Sequence, residues 1–114
     1  MPDDCLFCRI AAGEIPATKL HQDAEVLAIR DINPQAPTHV LVLPVMHIAS
    51  AGDLTDADGP LLGRLFSVAA DIARAERLDG GWRLVTNVGR DGGQSVDHLH
   101  LHLLGGRPMT WPPG

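Results

Sequence analysis

The stretch His98-Leu99-His100-Leu101-His102-Leu103 alternates histidine and leucine over six residues. Successive side chains of a β-strand point to opposite faces, so the pattern predicts a strand with imidazoles on one face and leucines on the other. We expect the leucine face to pack in the core. Three groups that titrate near neutral pH gain no stability from lying side by side, and histidine is a common acid–base catalyst and metal ligand. The histidine face is therefore where function should be sought.

Length and composition restrict the class of protein. The chain has 114 residues, of which 45% are hydrophobic and 20% charged, and this balance predicts one globular domain over 1–114. The formal net charge is −5, and lysine and arginine do not cluster, which argues against a nucleic-acid partner. No apolar run reaches the roughly 18 residues of a membrane span, and the start Met1-Pro2-Asp3-Asp4 is acidic, unlike a signal peptide. We therefore expect a cytoplasmic protein that binds neither nucleic acid nor a membrane.

Hydrophobic periodicity and turn residues divide the chain into short elements. They predict helices at 6–12 and about 55–78, and strands at 19–22, 25–30, 39–43 and 82–88 before the histidine strand. The long helix is expected to bury one stripe of residues: Leu62, Leu65, Phe66, Ala69, Ile72 and Ala73. Residues 89–95 are expected to form a flexible polar loop. About five strands and one long helix predict an α+β domain with a mostly antiparallel sheet.

The segment before the histidine strand bears on its chemistry. Gly92-Gly93 allows the backbone to approach a ligand closely and to point N–H groups at an anion, and Gln94 and Ser95 add side-chain donors. This combination suits a phosphate held beside a nucleophilic imidazole. Two other interpretations remain open at this point. Imidazoles two residues apart on a strand can share one metal ion, or the strand can be an ordinary surface strand.

The run from His98 to Leu104 resembles the His-x-His-x-His-x-x signature, with x apolar, of the histidine-triad superfamily of nucleotide hydrolases and transferases. Three further segments look like its Hint branch, the nucleoside phosphoramidases: Asp31-Ile32-Asn33-Pro34-Gln35-Ala36-Pro37-Thr38-His39, Asp91-Gly92-Gly93-Gln94-Ser95 and Trp111-Pro112-Pro113-Gly114. Together these matches cover essentially the whole chain. The resemblance implies a five-stranded antiparallel sheet with one long and one short helix, and a homodimer that joins the two sheets.

The resemblance also implies roles for individual residues. His100 would be the nucleophile, attacking the α-phosphorus to form a nucleotidyl-histidine intermediate that water hydrolyses. Ser95 and His102 would lie by the phosphate and the leaving group, and His39 would orient the triad. The implied nucleotide contacts are Asp31 at the ribose, Ile32, Asn87, Gly93 and Gln94, with Leu6, Phe7 and Ile10 beside the base. Without the surrounding motif, Asp31 would more simply be a turn former.

A second set of residues concerns metal binding. The spacing of Cys5 and Cys8 allows two thiolates to bind one tetrahedral Zn²⁺, and the resemblance to bacterial relatives adds His47 and His98 as the other ligands. Such a closed site would be structural, so that His98 belongs to the architecture and the chemistry requires no metal. A redox pair or two buried thiols are the alternatives.

We therefore predict hydrolysis of the P–N bond of purine nucleoside phosphoramidates, such as adenosine 5′-phosphoramidate or aminoacyl- and lysyl-AMP compounds. One alternative is a dinucleoside polyphosphate hydrolase or nucleotidyl transferase of the same superfamily. The other, from a different class, is a zinc-stabilised nucleotide-binding scaffold. Asp97 departs from the family pattern, because familiar relatives carry an aromatic residue there, and its effect is open.

Overall fold

A computed structural model of the chain describes residues 4–114. The strands are β1 (Lys19–Gln22), β2 (Val26–Arg30), β3 (Thr38–Pro44), β4 (Trp82–Val85) and β5 (Leu101–Gly105). They form one antiparallel sheet in the order β1-β2-β3-β5-β4. The predicted α+β class and five-stranded antiparallel sheet are thereby confirmed. Residues 1–3, whose acidic sequence argued against a signal peptide, lie outside the described part of the chain.

Helices cover both faces of the sheet. The long helix α2 (Gly59–Ala75) packs on one face, where its apolar side chains join those of β2, β3 and β5 in one core cluster. The short helix α1 (Leu6–Ala11) packs on the other face, where Phe7 and Ile10 meet Leu27 and Leu41 in a second cluster. Over residues 4–114, no helix combines the length and the apolar character that crossing a bilayer requires. The two clusters hold the sheet between α1 and α2.

The long helix is shorter than the periodicity predicted. Single turns of 3-10 helix precede it, and α2 itself begins at Gly59 with Pro60 in its first turn, where a missing N–H costs nothing. Phe66 was wrongly placed in the buried stripe. It is 54% exposed, and Val68 is buried instead, so the apolar stripe is rotated on the helix.

The histidine strand was predicted to begin at His98, but β5 begins only at Leu101. The chain bends at residues 96–98 before β5, and a backbone hydrogen bond of 2.6 Å from the Leu99 N–H to the Ile48 carbonyl holds the segment that follows. The alternation of faces nevertheless holds along the whole run. Its three leucines lie in the α2 cluster, whereas the rings of His98 and His100 contact Phe7 of α1.

The segment between β4 and β5 also differs from the prediction. Strand β4 ends at Val85, three residues before its predicted end, and the expected loop contains a one-turn helix, α3 (Gly89–Gly92). Gly93 ends this turn with a φ of 81°, a left-handed conformation that glycine adopts without strain. The segment is therefore a structured turn that connects β4 to the histidine run.

Candidate active site and metal centre

Four metal-binding side chains meet where α1 approaches the histidine segment. The ligand atoms of Cys5, Cys8, His47 and His98 lie within 4.8 Å of one another, and all but His47 are buried. Cys5 is the N-cap of α1, and its sulfur accepts a hydrogen bond from the Cys8 N–H at 3.4 Å. The first helical turn therefore brings both thiols to the same point, and the fold supplies two imidazoles to them.

The spacing of these atoms fits tetrahedral Zn²⁺. Ideal zinc–sulfur and zinc–nitrogen bonds place neighbouring ligand atoms about 3.3 to 3.8 Å apart. Here the Nδ1 atom of His98 lies 3.3 Å from the Cys5 sulfur, 3.6 Å from the Cys8 sulfur and 3.2 Å from Nδ1 of His47. His47 Nδ1 lies 3.5 Å from the Cys8 sulfur. The residues present thus fit a closed, four-ligand zinc site.

The orientation of His98 in this cluster favours a cation, whereas the thiols have to lose their protons to bind one. Burial, together with the neighbouring Cys5, raises the pKa of the Cys8 thiol to about 11. The ring of His98 is held by a 2.8 Å hydrogen bond from its Nε2–H to the Pro44 carbonyl, which leaves the Nδ1 lone pair directed at the thiols. This is the hydrogen-bonding pattern that orients metal-ligating histidines. Zinc would convert the thiols to thiolates on binding.

The next histidine of the run is oriented for a different task. Nδ1–H of His100 donates to the His98 carbonyl at 2.6 Å, so the Nε2 atom carries the free lone pair. The His100 carbonyl accepts a 2.9 Å hydrogen bond from the Thr86 hydroxyl, which fixes the backbone of this residue to the β4 side. The side chain is buried but borders a cavity. A neutral imidazole with a free Nε2 atom at a cavity wall is a competent nucleophile.

The third histidine is part of a hydrogen-bonded chain. Strand pairing sets Leu41 opposite His102, which places His39 diagonally across from His102 on the same face. The Gln35 N–H donates to His39 Nδ1 at 3.0 Å, so the proton of His39 lies on Nε2. That Nε2 atom is 2.9 Å from His102 Nδ1 and donates to it. His102 consequently carries its own proton on Nε2, ready to donate outward.

Both rings of this pair are held neutral. Burial lowers the pKa of His39, against the opposing effect of Asp31. Burial, followed by the nearby imidazoles of His100 and His39, lowers the pKa of His102 to about 4, while Asp31 acts in the other direction. Near neutral pH, His102 is therefore a hydrogen-bond donor without a net charge.

The shift at His102 predicts a pH dependence of stability. Between pH 6.5 and about 4 the unfolded chain binds a proton at His102 that the folded chain does not, so the free energy of unfolding falls on acidification. Urea unfolding from about pH 7 down to about pH 4.5 measures this slope. We expect His102→Gln to make this slope shallower, because unfolding of the variant takes up fewer protons, by up to about one. Parallel slopes for the two proteins would contradict the neutral, buried ring.

A mostly apolar cavity of 360 Å³ lies in front of His100 and His102. Its wall is built from α1, β2 and the segments beside them, and includes Leu6, Phe7, Ile10, Ile15, Pro16, Ala17, Ile29, Asp31, Ile32, Leu41, Ser95 and Val96. The three α1 residues expected beside a base are thus part of the wall. Ile32 is fully exposed and contributes only to the rim. Such a cavity, with polar groups at one end, suits a planar ligand with a polar tail.

Asp31 has two structural roles at the rim of this cavity. Its Oδ1 atom accepts a 2.8 Å hydrogen bond from the Asn33 N–H, which is the turn-forming role expected from its position before Pro34. Its Oδ2 atom lies 3.5 Å from His39 Nε2. The carboxylate is therefore fixed by the chain that follows it, with one oxygen close to the histidine pair.

A second cavity of 390 Å³ also borders His102. It is lined by His39, by side chains of β4 and β5, and by the C-terminal tail, and contains Asn87, Arg83, Arg107, Met109 and Thr110. Asn87, expected at the phosphate, lies in this cavity. The two cavities share His102 among their lining residues.

Two of the expected phosphate-binding residues already bond within their own loop. The N–H groups of Gly93 and Gln94 donate to the carbonyls of Arg90 and Gly89, because they close the turn of α3. The side-chain amide of Gln94 donates to Ala49 and Val96 carbonyls, so it fastens the loop. A phosphate would compete with these bonds, and the expectation that these groups bind it stays a prediction. Ser95 lines the apolar cavity.

Sequence reasoning did not identify which backbone groups set the histidine tautomers. Three backbone groups each fix one ring: the Gln35 N–H fixes His39, the His98 carbonyl fixes His100, and the Pro44 carbonyl fixes His98. Almost every residue carries these backbone groups, so the residue types in a sequence do not indicate which of them will bond to a histidine. Thr86 was also missed, although a threonine at the end of a strand near catalytic residues is a usable signal. Asp97 is exposed and borders a further cavity beside Cys5, on the metal side of the site.

Comparison with known proteins agrees with this geometry. The protein family described as "Scavenger mRNA decapping enzyme C-term binding" matches residues 4–111. A 14 kDa zinc-binding protein of Zea mays is 49% identical over 112 residues, which cover 96% of this chain and 87% of that protein. A HIT family hydrolase of Legionella pneumophila is 57% identical, with a TM-score of 0.95 over 97% of this chain and 100% of that one. A histidine triad nucleotide-binding protein of Candida albicans is 33% identical, with a TM-score of 0.81 over 96% and 83%.

Proposed function

Because this chain belongs to the histidine triad (HIT) family, which includes hydrolases, we propose that it hydrolyses the P–N bond of purine nucleoside phosphoramidates. The observation that carries the proposal is the ring of His100, whose Nδ1–H is bound to the His98 carbonyl and whose Nε2 atom borders an apolar cavity. This arrangement offers a nucleophile to a phosphorus atom placed at the end of a bound nucleoside.

The reaction then proceeds by two displacements. The Nε2 lone pair of His100 attacks the α-phosphorus, the P–N bond breaks, and the leaving nitrogen takes a proton from solvent. Water next attacks the phosphorus of the nucleotidyl-histidine, breaks the P–Nε2 bond and releases the nucleoside monophosphate with loss of a proton to solvent. Dividing one difficult displacement in this way is the usual gain of covalent catalysis.

Neutral donors stabilise the charge on the phosphoryl oxygens. His102 offers its Nε2–H, because His39 occupies its Nδ1 atom, and Ser95 offers a hydroxyl from the cavity wall. Because the pKa of His102 is low, its ring does not take up a second proton near neutral pH, and its role is to donate a hydrogen bond throughout the reaction.

Recognition of the ribose gives a separate prediction. We propose that Asp31 accepts hydrogen bonds from the ribose hydroxyls, because its carboxylate lies at the cavity rim beside the histidine pair. We expect Asp31→Asn to raise KM for a ribonucleoside phosphoramidate by about tenfold, the effect of one charge-assisted hydrogen bond. The asparagine retains an oxygen for the Asn33 N–H, so the turn is preserved.

Steady-state kinetics with ribo and 2′-deoxyribo substrates check this prediction. Wild-type protein should prefer the ribo substrate, and Asp31→Asn should largely lose the preference. Equal preference in both proteins would place the ribose elsewhere. Glu14→Gln is a matched control, since Glu14 is an exposed carboxylate outside both cavities.

The second cavity is the proposed place of the leaving amine, since it shares His102 with the nucleoside cavity but is otherwise lined by different residues. Its guanidinium groups bind main-chain oxygens: Arg83 donates to the Thr110 carbonyl and Arg107 to those of Gln35 and Pro108. These bonds fasten the C-terminal tail over the cavity. The tail therefore shapes the space that the amine occupies.

A substrate panel tests the proposed function against its alternatives. Adenosine and guanosine phosphoramidates, including an aminoacyl-linked AMP, are compared with dinucleoside polyphosphates at equal enzyme concentration. We expect the phosphoramidates to have a kcat/KM at least about tenfold higher, because an amine needs no second phosphate site. Preference for the polyphosphates would favour the hydrolase or transferase alternative. Nucleotide binding without turnover of either class would favour the scaffold alternative.

We further infer that the chain forms a homodimer through β4. This strand lies at an edge of the sheet, where its outer N–H and C=O groups lack a strand partner, and Trp82 on it is 41% exposed. A second copy of the same edge would extend the sheet. Sedimentation analysis should give twice the mass of one chain, whereas a monomer at micromolar concentration would contradict the inference.

A further inference from the structure

His98 connects the metal-binding cluster to the nucleophile through a single residue. Its imidazole lies among the ligand atoms, with Nδ1 3.3 Å from the Cys5 sulfur, whereas its carbonyl accepts the 2.6 Å hydrogen bond from His100 Nδ1–H. The side chain is completely buried. Because the enclosed ring has little space to rotate by itself, a displacement of the ring is transmitted to the carbonyl that orients His100.

A second contact links the same two histidines to α1. Phe7 lies between Cys5 and Cys8 in sequence, and its ring packs edge-on against His98 and His100, with centroid distances of 5.8 and 5.1 Å. Cys5 and Cys8 fix the ends of the helical turn that carries Phe7. The cluster thus positions both the hydrogen-bond acceptor of His100 and the aromatic ring that packs against it.

We propose that the Cys5–Cys8–His47–His98 cluster, when it holds a metal, is the positioning device for the catalytic nucleophile, acting through the His98 carbonyl and Phe7. Its residues are positioning residues, because none of them reaches the reacting phosphorus. The proposal rests on the proposed function only where its test measures enzyme activity. It assigns the cluster more than a stabilising role, since metal binding would set the orientation and tautomer of His100 as well as stabilise the fold.

The expected effect is large because nucleophilic attack depends steeply on geometry. A misplacement of about 1 Å at a reacting atom costs about 100-fold in rate. Without a metal, the His98 ring lies 3.3 and 3.6 Å from the two sulfurs but has no ligand bonds to fix its position. We expect kcat to fall about 100-fold when the metal is removed from protein that remains folded.

Metal replacement measures the coupling directly. Full-length protein is stripped with a chelator and titrated with Co²⁺, whose visible absorption reports a tetrahedral sulfur–nitrogen site. Turnover should return in proportion to this absorption and reach a plateau at one equivalent. Full turnover of the folded, metal-free protein would overturn the proposal, as would restoration that does not follow the absorption.

Substitutions separate positioning from stability. His98→Cys keeps a ligand at this position and should retain one metal ion and turnover within about tenfold of wild type, whereas His98→Ala should lose both. Val68→Ala is the control for stability, because Val68 belongs to α2 and is buried against the face of the sheet opposite to α1. It should lower the free energy of unfolding and leave turnover unchanged. A His98→Cys protein that binds metal but is as inactive as His98→Ala would contradict the proposal.

NMR spectroscopy of His100 tests the coupling between the metal and this ring without any substrate. In ¹⁵N-labelled protein, His100 should give the spectrum of a neutral ring with its proton fixed on Nδ1 when the metal is bound. On metal removal this signature should be lost, while the α2 core signals remain. An unchanged His100 tautomer in metal-free protein would overturn the proposal. If no phosphoramidate is hydrolysed, the proposed function fails, yet the tautomer still tests the coupling.

Discussion

His100→Ala is expected to lower kcat for an adenosine phosphoramidate by at least about 1,000-fold, because it removes the nucleophile and with it the covalent pathway. The nucleoside cavity is formed largely by α1, β2 and the segments beside them. Because this wall remains without the His100 ring, AMP should still bind measurably. Fluorogenic turnover and calorimetric binding of AMP give the two quantities. Loss of turnover with retained binding identifies a chemical role.

The matched control is another histidine. His21 lies on β1, where it bonds with Asp23, and it borders neither cavity in front of His102. His21→Ala should therefore retain turnover within about twofold of wild type, as expected for a surface position. Near-wild-type turnover by His100→Ala would refute the assignment of the nucleophile.

Removing the metal is expected to lower the free energy of unfolding by several kcal/mol, because the energy of binding a structural metal is also folding energy. The cluster fastens α1 to His47 beyond β3 and to His98 before β5. Helix α1 has six residues, too few to form without tertiary support. Metal analysis should give one zinc per chain, and urea unfolding with and without chelator gives the difference in free energy.

A double variant supplies the control for the chelator. Cys5→Ser with Cys8→Ser preserves the approximate shapes of both side chains but removes both thiolates. It should be as unstable as chelated wild-type protein, and the chelator should not change its unfolding further. Protein that contains no zinc and is equally stable with and without chelator would leave the two thiols without a metal-binding role.

The histidine run shows what periodicity can and cannot predict. Alternation correctly placed the imidazoles of His98 and His100 on one face and the leucines on the other, in the core. It did not predict that the ladder of β5 starts only at Leu101, because the partner of Leu99 is the isolated Ile48 carbonyl. Side-chain direction follows from local backbone conformation, whereas strand pairing depends on distant chain segments.

The candidate site shows the same division between local and distant information. Residues with distinctive chemistry, such as Cys5 and His39, could be found from spacing and family resemblance. The sequence did not show that the N–H groups of Gly93 and Gln94 close a helical turn, which competes with any ligand for the same donors. Phe66 was misplaced because the sheet against which α2 packs decides which stripe of the helix is buried. The periodicity of one helix does not contain information about that packing partner.

The central claim is that phosphorus is transferred to His100, and its most direct test is rapid quenching during turnover of an adenosine phosphoramidate. Under conditions that preserve P–N bonds, mass spectrometry should find one AMP-sized addition on the peptide that contains His100. The addition should be absent in His100→Ala. An enzyme that turns over rapidly with no such addition, or with the addition on another residue, would contradict the account.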